Sequence, residues 1–249
     1  MKALHGKQRG SLAFRLFLLL ILVLIMAFSM SRAEPSGVVI EATNKNALIL
    51  LPILHENGKS WSPVIDDLES AGYKVTTKVD NKVNLELLRN ISDYSVIFIN
   101  THGTDPDRYG DYYFLSSERY SEDVYRRNRS DFNDNLLKHG NIEGGSYFLV
   151  SPQYIKKYNY DDDTGERFQD ALLYFRSCWS MRSDRLTSAL KGIGIQILIG
   201  YERGSVGVEG EYYRRGDDVT TVEFFDLACR QDVIAEHAFK QIYDPGFFI

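Results

Sequence analysis

Four short, nearly continuous apolar runs constrain this chain more than any other feature: residues 47–51, 94–99, 171–175 and 195–200. A strand with one wet face alternates apolar and polar residues. A strand that does not alternate is dry on both faces, which places it in a parallel sheet covered by helices on each side. Helical patterns fill the spaces between the runs. Ser62-Pro63 opens the first: Ser suits the cap, Pro the first turn, Val64, Leu68 and Ala71 share a face, and Gly72 ends it. Residues 74–78 alternate with β-branched side chains and predict a further strand, and 85–88 predict a short helix. Residues 183–191 place Leu186 and Leu190 on one face before Gly192 and Gly194, and 217–243 read as a long amphipathic helix. The predicted fold class is α/β: a three-layer sandwich with a mostly parallel central sheet and helices on both faces.

The rhythm breaks between about 104 and 170, where the chain is polar, charged and rich in Tyr. A stretch this long reads as an insertion, with a short strand at 147–150 and a helix at 152–158. Residues 161–165 resemble a calcium loop only superficially, lack the remaining ligand spacing and read as a turn.

At the N-terminus, Lys2, Lys7, Arg9 and Arg15 precede an apolar run over 16–28, and small residues follow up to Ala33. That is the order of a secretory signal. As a helix the run spans about 20 Å, short of the roughly 30 Å hydrocarbon core. Residues 1–33 are therefore expected to be a signal peptide, with an uncleaved signal anchor as the alternative. The protein is expected to be exported, secreted or held at the outer face of the cytoplasmic membrane, with 34–249 as its domain. Asn90 and Asn128 each begin a glycosylation sequon. A formal net charge of −5 supplies no basic field for nucleic acid. Membrane contact is expected only through the N-terminal segment, if it is retained.

Chemistry gathers at the carboxyl ends of strands in open α/β sheets. His102 and Gly103 follow one predicted strand, and Ser177 and Cys178 follow another. If those strands are parallel neighbours, a thiol nucleophile and an imidazole acid/base share one edge. Gly103 leaves its backbone open to close approach, so its N–H, with that of Cys178, suits an oxyanion hole. Cys178 and Cys229 are the only cysteines, too few for a disulfide framework. Cys229, beside Phe224, Phe225 and Leu227, reads as core packing, and His237 as a surface or cap residue. His55 follows the first strand and is a weaker candidate for the same edge. His139 repeats the His-Gly dipeptide without a buried strand before it. No His/Cys/Asp cluster has metal-site spacing and no glycine-rich phosphate loop follows a strand, so no metal or cofactor is expected.

Two motifs, Phe98-Ile99-Asn100-Thr101-His102-Gly103 and Tyr174-Phe175-Arg176-Ser177-Cys178-Trp179-Ser180-Met181, resemble the caspase-hemoglobinase fold of cysteine peptidases. That group includes caspases, legumain, clostripain, gingipain and the CHAT-type peptidases. The pattern from Leu190 through Gly200, then Val222 to Asp226 and Ala235 to Ala238, is similar to the gingipain and CHAT-type tail. The resemblance spans roughly residues 45–242 and implies a caspase-like peptidase domain with peptide or protein substrates. It implies His102 as catalytic acid/base, Cys178 as nucleophile, and Gly103 and Cys178 as oxyanion donors. Many relatives carry a Gly shortly after the Cys; here Trp179, Ser180 and Met181 stand instead, and Trp179 and Asp105 are candidates for the substrate cleft. Cleavage after basic residues would need an acidic pocket floor, for which Asp105, Asp107 and Glu202 are the nearby carboxylates. Several relatives are processed between the catalytic strands, making Arg126, Arg127 and Arg129 a candidate self-cleavage site, against the alternative of a solvated loop. The leading expectation is an exported cysteine endopeptidase. The alternatives are a non-catalytic caspase-like module that binds a peptide or protein, and an exported α/β binding domain with no dyad.

Overall fold

A computed structural model describes residues 44–52, 61–142, 144–163, 167–168, 170–182, 184–201, 221–230, 238 and 247–248. The first half contains β1 (Asn46–Leu51), α1 (Ser62–Ser70), β2 (Lys74–Val79), α2 (Leu85–Leu88) and β3 (Val96–Asn100). The middle contributes α3 (Pro106–Tyr109), β4 (Phe114–Arg119), α4 (Glu122–Arg127), α5 (Arg129–Asn133), β5 (Leu137–Ile142), β6 (Gly145–Val150) and α6 (Pro152–Tyr158). The rest holds β7 (Ala171–Arg176), α7 (Asp184–Lys191), β8 (Ile195–Tyr201), a π-helical turn Asp226–Arg230 and β9 (Phe247–Phe248). The predicted signal segment, His55, Glu202 and His237 lie outside the described residues, as does most of the 217–243 helix.

The central sheet runs β2-β1-β3-β7-β8-β9. Its first five strands are parallel, and β9 closes the edge antiparallel to β8. Successive residues of each strand feed opposite layers. Leu48, Leu50, Ile97, Ile99, Leu173 and Phe175 pack against Leu85 and Leu88 of α2, Tyr154 and Ile155 of α6, and Leu186 and Leu190 of α7. Ala47, Ile49, Val96, Phe98, Leu172 and Tyr174 pack against Val64 and Leu68 of α1 and against Phe224 and Phe225. Both faces of β1, β3 and β7 are dry, which is why their sequences do not alternate, whereas β2 at the sheet edge is part-exposed. The three-layer α/β architecture is the one the apolar runs predict. One local detail differs: Ser62 is the first residue of α1, and Trp61 is the cap, with φ at 52°.

The polar middle segment departs further from expectation. β6 and α6 contain the predicted strand and helix, but β4 and β5 flank β6 in an antiparallel sheet ordered β4-β6-β5. Tyr112, Phe114, Phe148 and Val150 join the same core cluster as the parallel strands, and both sheets fall within one compact unit. Tyr113, Leu115, Tyr147 and Leu149 form a smaller cluster of their own. Polar side chains clip this segment to the rest of the molecule. Buried Asp131 takes Lys157 Nζ at 2.7 Å, the Tyr158 hydroxyl at 2.8 Å and Arg89 at 3.4 Å, and Arg89 Nη2 also donates to Asn128 Oδ1 at 2.6 Å. Asp131 is the buried member, whereas Arg89 and Lys157 are partly exposed, so replacing Asp131 would remove three side-chain contacts at once.

At the candidate self-cleavage site the alternative of a solvated loop is corrected: the arginines are exposed but helical. Arg126 and Arg127 end α4, Arg129 begins α5, and the buried Asn128 between them is held by Arg89. The same contact occupies the side chain of the second sequon, whereas Asn90 is exposed.

Candidate functional site

β3 and β7 are parallel neighbours with Asn100 opposite Arg176, and the Thr101 N–H donates to the Arg176 carbonyl at 3.0 Å. His102 and Cys178 each lie two residues past that register pair, both half-buried, at the carboxyl edge of adjacent strands. The predicted juxtaposition of the two strand ends is thus present.

The direction of the Gly103 N–H follows from the ladder. Gly103 bridges Phe114 antiparallel, flanked by Leu115 N–H to His102 O at 2.9 Å and Thr104 N–H to Tyr113 O at 2.8 Å. Residues 102 and 104 therefore spend their bonds on the β4 side, and Gly103 occupies a non-hydrogen-bonded position whose N–H turns the other way. That is the side on which Thr101 meets Arg176, and on which Cys178 follows. The direction a Gly103 side chain would take is closed. A Cβ on Gly103 would stand 2.1 Å from the Cys178 carbonyl oxygen, 2.5 Å from Ser177 Oγ and 2.9 Å from the Tyr112 ring. Glycine is required here by contact, since its φ is not in the left-handed region.

Cys178 sits in a tight turn. The Ser177 N–H donates to Phe175 O at 3.0 Å, and the Ser180 N–H to Ser177 O at 3.3 Å. Ser180 Oγ accepts the Tyr201 N–H at 2.8 Å and the Met181 N–H donates to Tyr201 O at 2.9 Å, so the turn is pinned to β8. Trp179, next to the cysteine, has φ at 62°. A bulky side chain in that left-handed region stores about 1–3 kcal/mol of strain, which only a well-determined surrounding can sustain. Arg182 supplies part of that surrounding. Its guanidinium lies 4.7 Å from the Trp179 ring centroid, pairs with Asp107, and reaches Asp105 at 3.7 Å. Asp105 also caps α3, accepting the Asp107 N–H at 3.0 Å.

Trp179 and Asp105 thus both contact Arg182 beside the Cys178 turn, and both described carboxylates proposed for a basic pocket already face that arginine. On the opposite flank, Arg176 donates to Asn100 Oδ1 at 2.5 Å and lies over the Trp61 ring at 4.9 Å. Sequence reasoning missed Tyr112, whose buried hydroxyl donates to Ser177 Oγ at 2.8 Å. Burial holds the Tyr112 phenol well above its ordinary value, and the nearby Cys178 acts in the same direction. The signal was available in the aromatic run Tyr112-Tyr113-Phe114, submerged in a segment read as polar.

The other candidates stand apart. His139 lies on β5 opposite Phe148, its ring 5.0 Å from that of Tyr120, and not at the end of a parallel strand. Cys229 sits in the π-helical turn and packs against the α1 side of the core. Burial pushes its thiol up to about 12, with the Asp67 carboxylate adding to the rise. Among the described residues no group of three or more His, Cys, Asp or Glu side chains is placed to hold a metal ion. No family model matches the chain, and no curated protein matches it.

Proposed function

We propose that this protein is an exported cysteine endopeptidase of caspase-like type, working through His102 and Cys178 on peptide or protein substrates. One observation carries the reading: the β3–β7 register sets both residues at the same level of one sheet edge, with the Gly103 backbone turned toward the cysteine. Export rests on the charge and apolar order of residues 1–33.

In this mechanism His102 takes the Cys178 thiol proton and the thiolate attacks the scissile carbonyl carbon. The carbonyl electron pair moves onto oxygen, and the N–H groups of Gly103 and Cys178 stabilise it; one such donor is worth about 2.7–4 kcal/mol in the transition state. Collapse breaks the C–N bond, His102 returns the proton to the leaving amine, and a thioester remains. His102 then draws a proton from water, hydroxide adds to the thioester, and the acid leaves with the thiol restored. Self-cleavage at Arg126, Arg127 or Arg129 would require α4 and α5 to unwind, because a scissile segment must lie extended in the cleft.

A second reading is supported by the Arg182 contacts. Trp179 under Arg182, with Asp105 and Asp107 beyond it, narrows the mouth of the edge and suits a caspase-like module that binds a peptide without cleaving it. Screening the purified domain against a fluorogenic peptide library separates the two readings. The peptidase predicts cleavage that drops at least about 10³-fold in Cys178→Ala and in His102→Ala. Peptide binding without cleavage, unchanged in both variants, would establish the binding module instead.

A further inference from the structure

We propose that Tyr112 is a positioning residue for the nucleophile, setting through Ser177 how the Cys178 turn seats against Gly103. The inference rests on the peptidase reading for its catalytic meaning, but its physical basis is local. Tyr112 and Ser177 are both fully buried, 65 residues apart in sequence, and joined by a single hydrogen bond of 2.8 Å. The ring is fixed edge-on against Phe175, with centroids 6.1 Å apart and planes at 74°. Its Cε2 stands 2.9 Å from the place a Gly103 side chain would occupy. One aromatic residue therefore touches both halves of the site: its ring bounds the Gly103 backbone, and its hydroxyl holds the residue before Cys178.

Ser177 has little other freedom. Its N–H is committed to Phe175 O and its carbonyl accepts the Ser180 N–H, so the phenol fixes the side chain of a residue whose backbone already defines the turn. The phenol donates only while it is protonated, and burial holds it well above its ordinary value. Left without its donor, buried Ser177 Oγ would seek a new partner, and the turn would move with it. Displacement of a reacting group by about 1 Å can reduce rate by as much as 10²-fold.

The test is a double-mutant cycle on Cys178 labelling by limiting iodoacetamide, measured from pH 5 to 10 in wild type, Tyr112→Phe, Ser177→Ala and the double variant. The account predicts labelling about tenfold slower in Tyr112→Phe, with the profile displaced to higher pH. Ser177→Ala should behave alike, and the double variant no worse than either single change, because both remove one interaction. Thermal melts identify any variant that fails to fold, and Ser177→Ala then carries the test alone. A Tyr112→Phe profile superimposable on wild type overturns the proposal, and so do additive effects in the cycle. Peptide turnover is read in parallel. Loss of the Tyr112 effect on labelling while wild type cleaves peptide overturns the positioning role only. The predicted labelling shift without any cleavage by wild type overturns the peptidase reading and leaves the positioning role standing.

Discussion

The two cysteines of this chain occupy opposite kinds of surroundings. Cys229 lies in a helical turn over α1, packed on apolar neighbours and facing the Asp67 carboxylate, and both circumstances disfavour a thiolate. Cys178 lies at a strand end, in a turn of hydrogen-bonded backbone with a strained residue after it and the His102–Gly103 segment across the ladder. A thiol becomes inert when apolar atoms and an anion surround it, and becomes useful when oriented N–H groups and an imidazole do. Placement alone, with the same side chain, separates a packing cysteine from a candidate nucleophile.

Four tests, the first of them a pair of variants, probe that contrast in falling order of effect. Cys178→Ala should reduce peptide hydrolysis at least about 10³-fold whereas Cys229→Ala leaves it within about twofold, as initial rates on a common substrate would show. Comparable losses from both would erase the distinction. Gly103→Ala forces a methyl group into the Cys178 carbonyl, with Ser177 Oγ and the Tyr112 ring also in the way, and should slow turnover by about 10²-fold while lowering stability by about 1–3 kcal/mol. Near-wild-type kinetics in that variant would show that the two segments do not close on each other.

The third test concerns the packing side of the contrast. Burial raises the Asp67 carboxyl above its ordinary value despite Arg230 Nε at 2.6 Å. The folded state therefore holds a proton that the unfolded state has released between the ordinary and the raised value, and Asp67 loses stabilising weight as pH rises through that window. Melts of Asp67→Asn against wild type should show the variant gaining in relative stability from pH 4 to 7. A relative loss over that interval would mean that the Arg230 pair outweighs desolvation. Arg182→Ala should have the smallest effect, about 0–1 kcal/mol in stability, because its ion pairs are exposed. Labelling of Cys178 should quicken modestly if Arg182 narrows the cleft and stay unchanged if it does not.

The parallel sheet was readable because burial on both faces writes itself into unbroken apolar runs such as Ala47 to Leu51. The dyad candidates were readable for the same reason, since His102 and Cys178 end two of those runs. The small sheet was not. β4 carries Ser116 and Ser117 into the interior, where their hydroxyls donate to Phe148 O and Val83 O at 2.9 Å, so a buried strand looks polar in sequence. β5 includes Gly140, whose Cβ would stand 2.9 Å from Leu149 Cδ1, and no composition rule reveals that contact. Residues that close the site across sequence distance, such as Tyr112 on Ser177 and Arg182 on Asp105, become visible only when the strands are brought together.

The most direct test of the central claim is intact-mass labelling of residues 34–249 with limiting iodoacetamide at neutral pH, in wild type, Cys178→Ala and His102→Ala. The account predicts rapid addition of one label in wild type, at Cys178, slowed sharply in His102→Ala and absent in Cys178→Ala, with Cys229 unreacted throughout. Slow labelling that is indifferent to His102→Ala, or first labelling at Cys229, would contradict it.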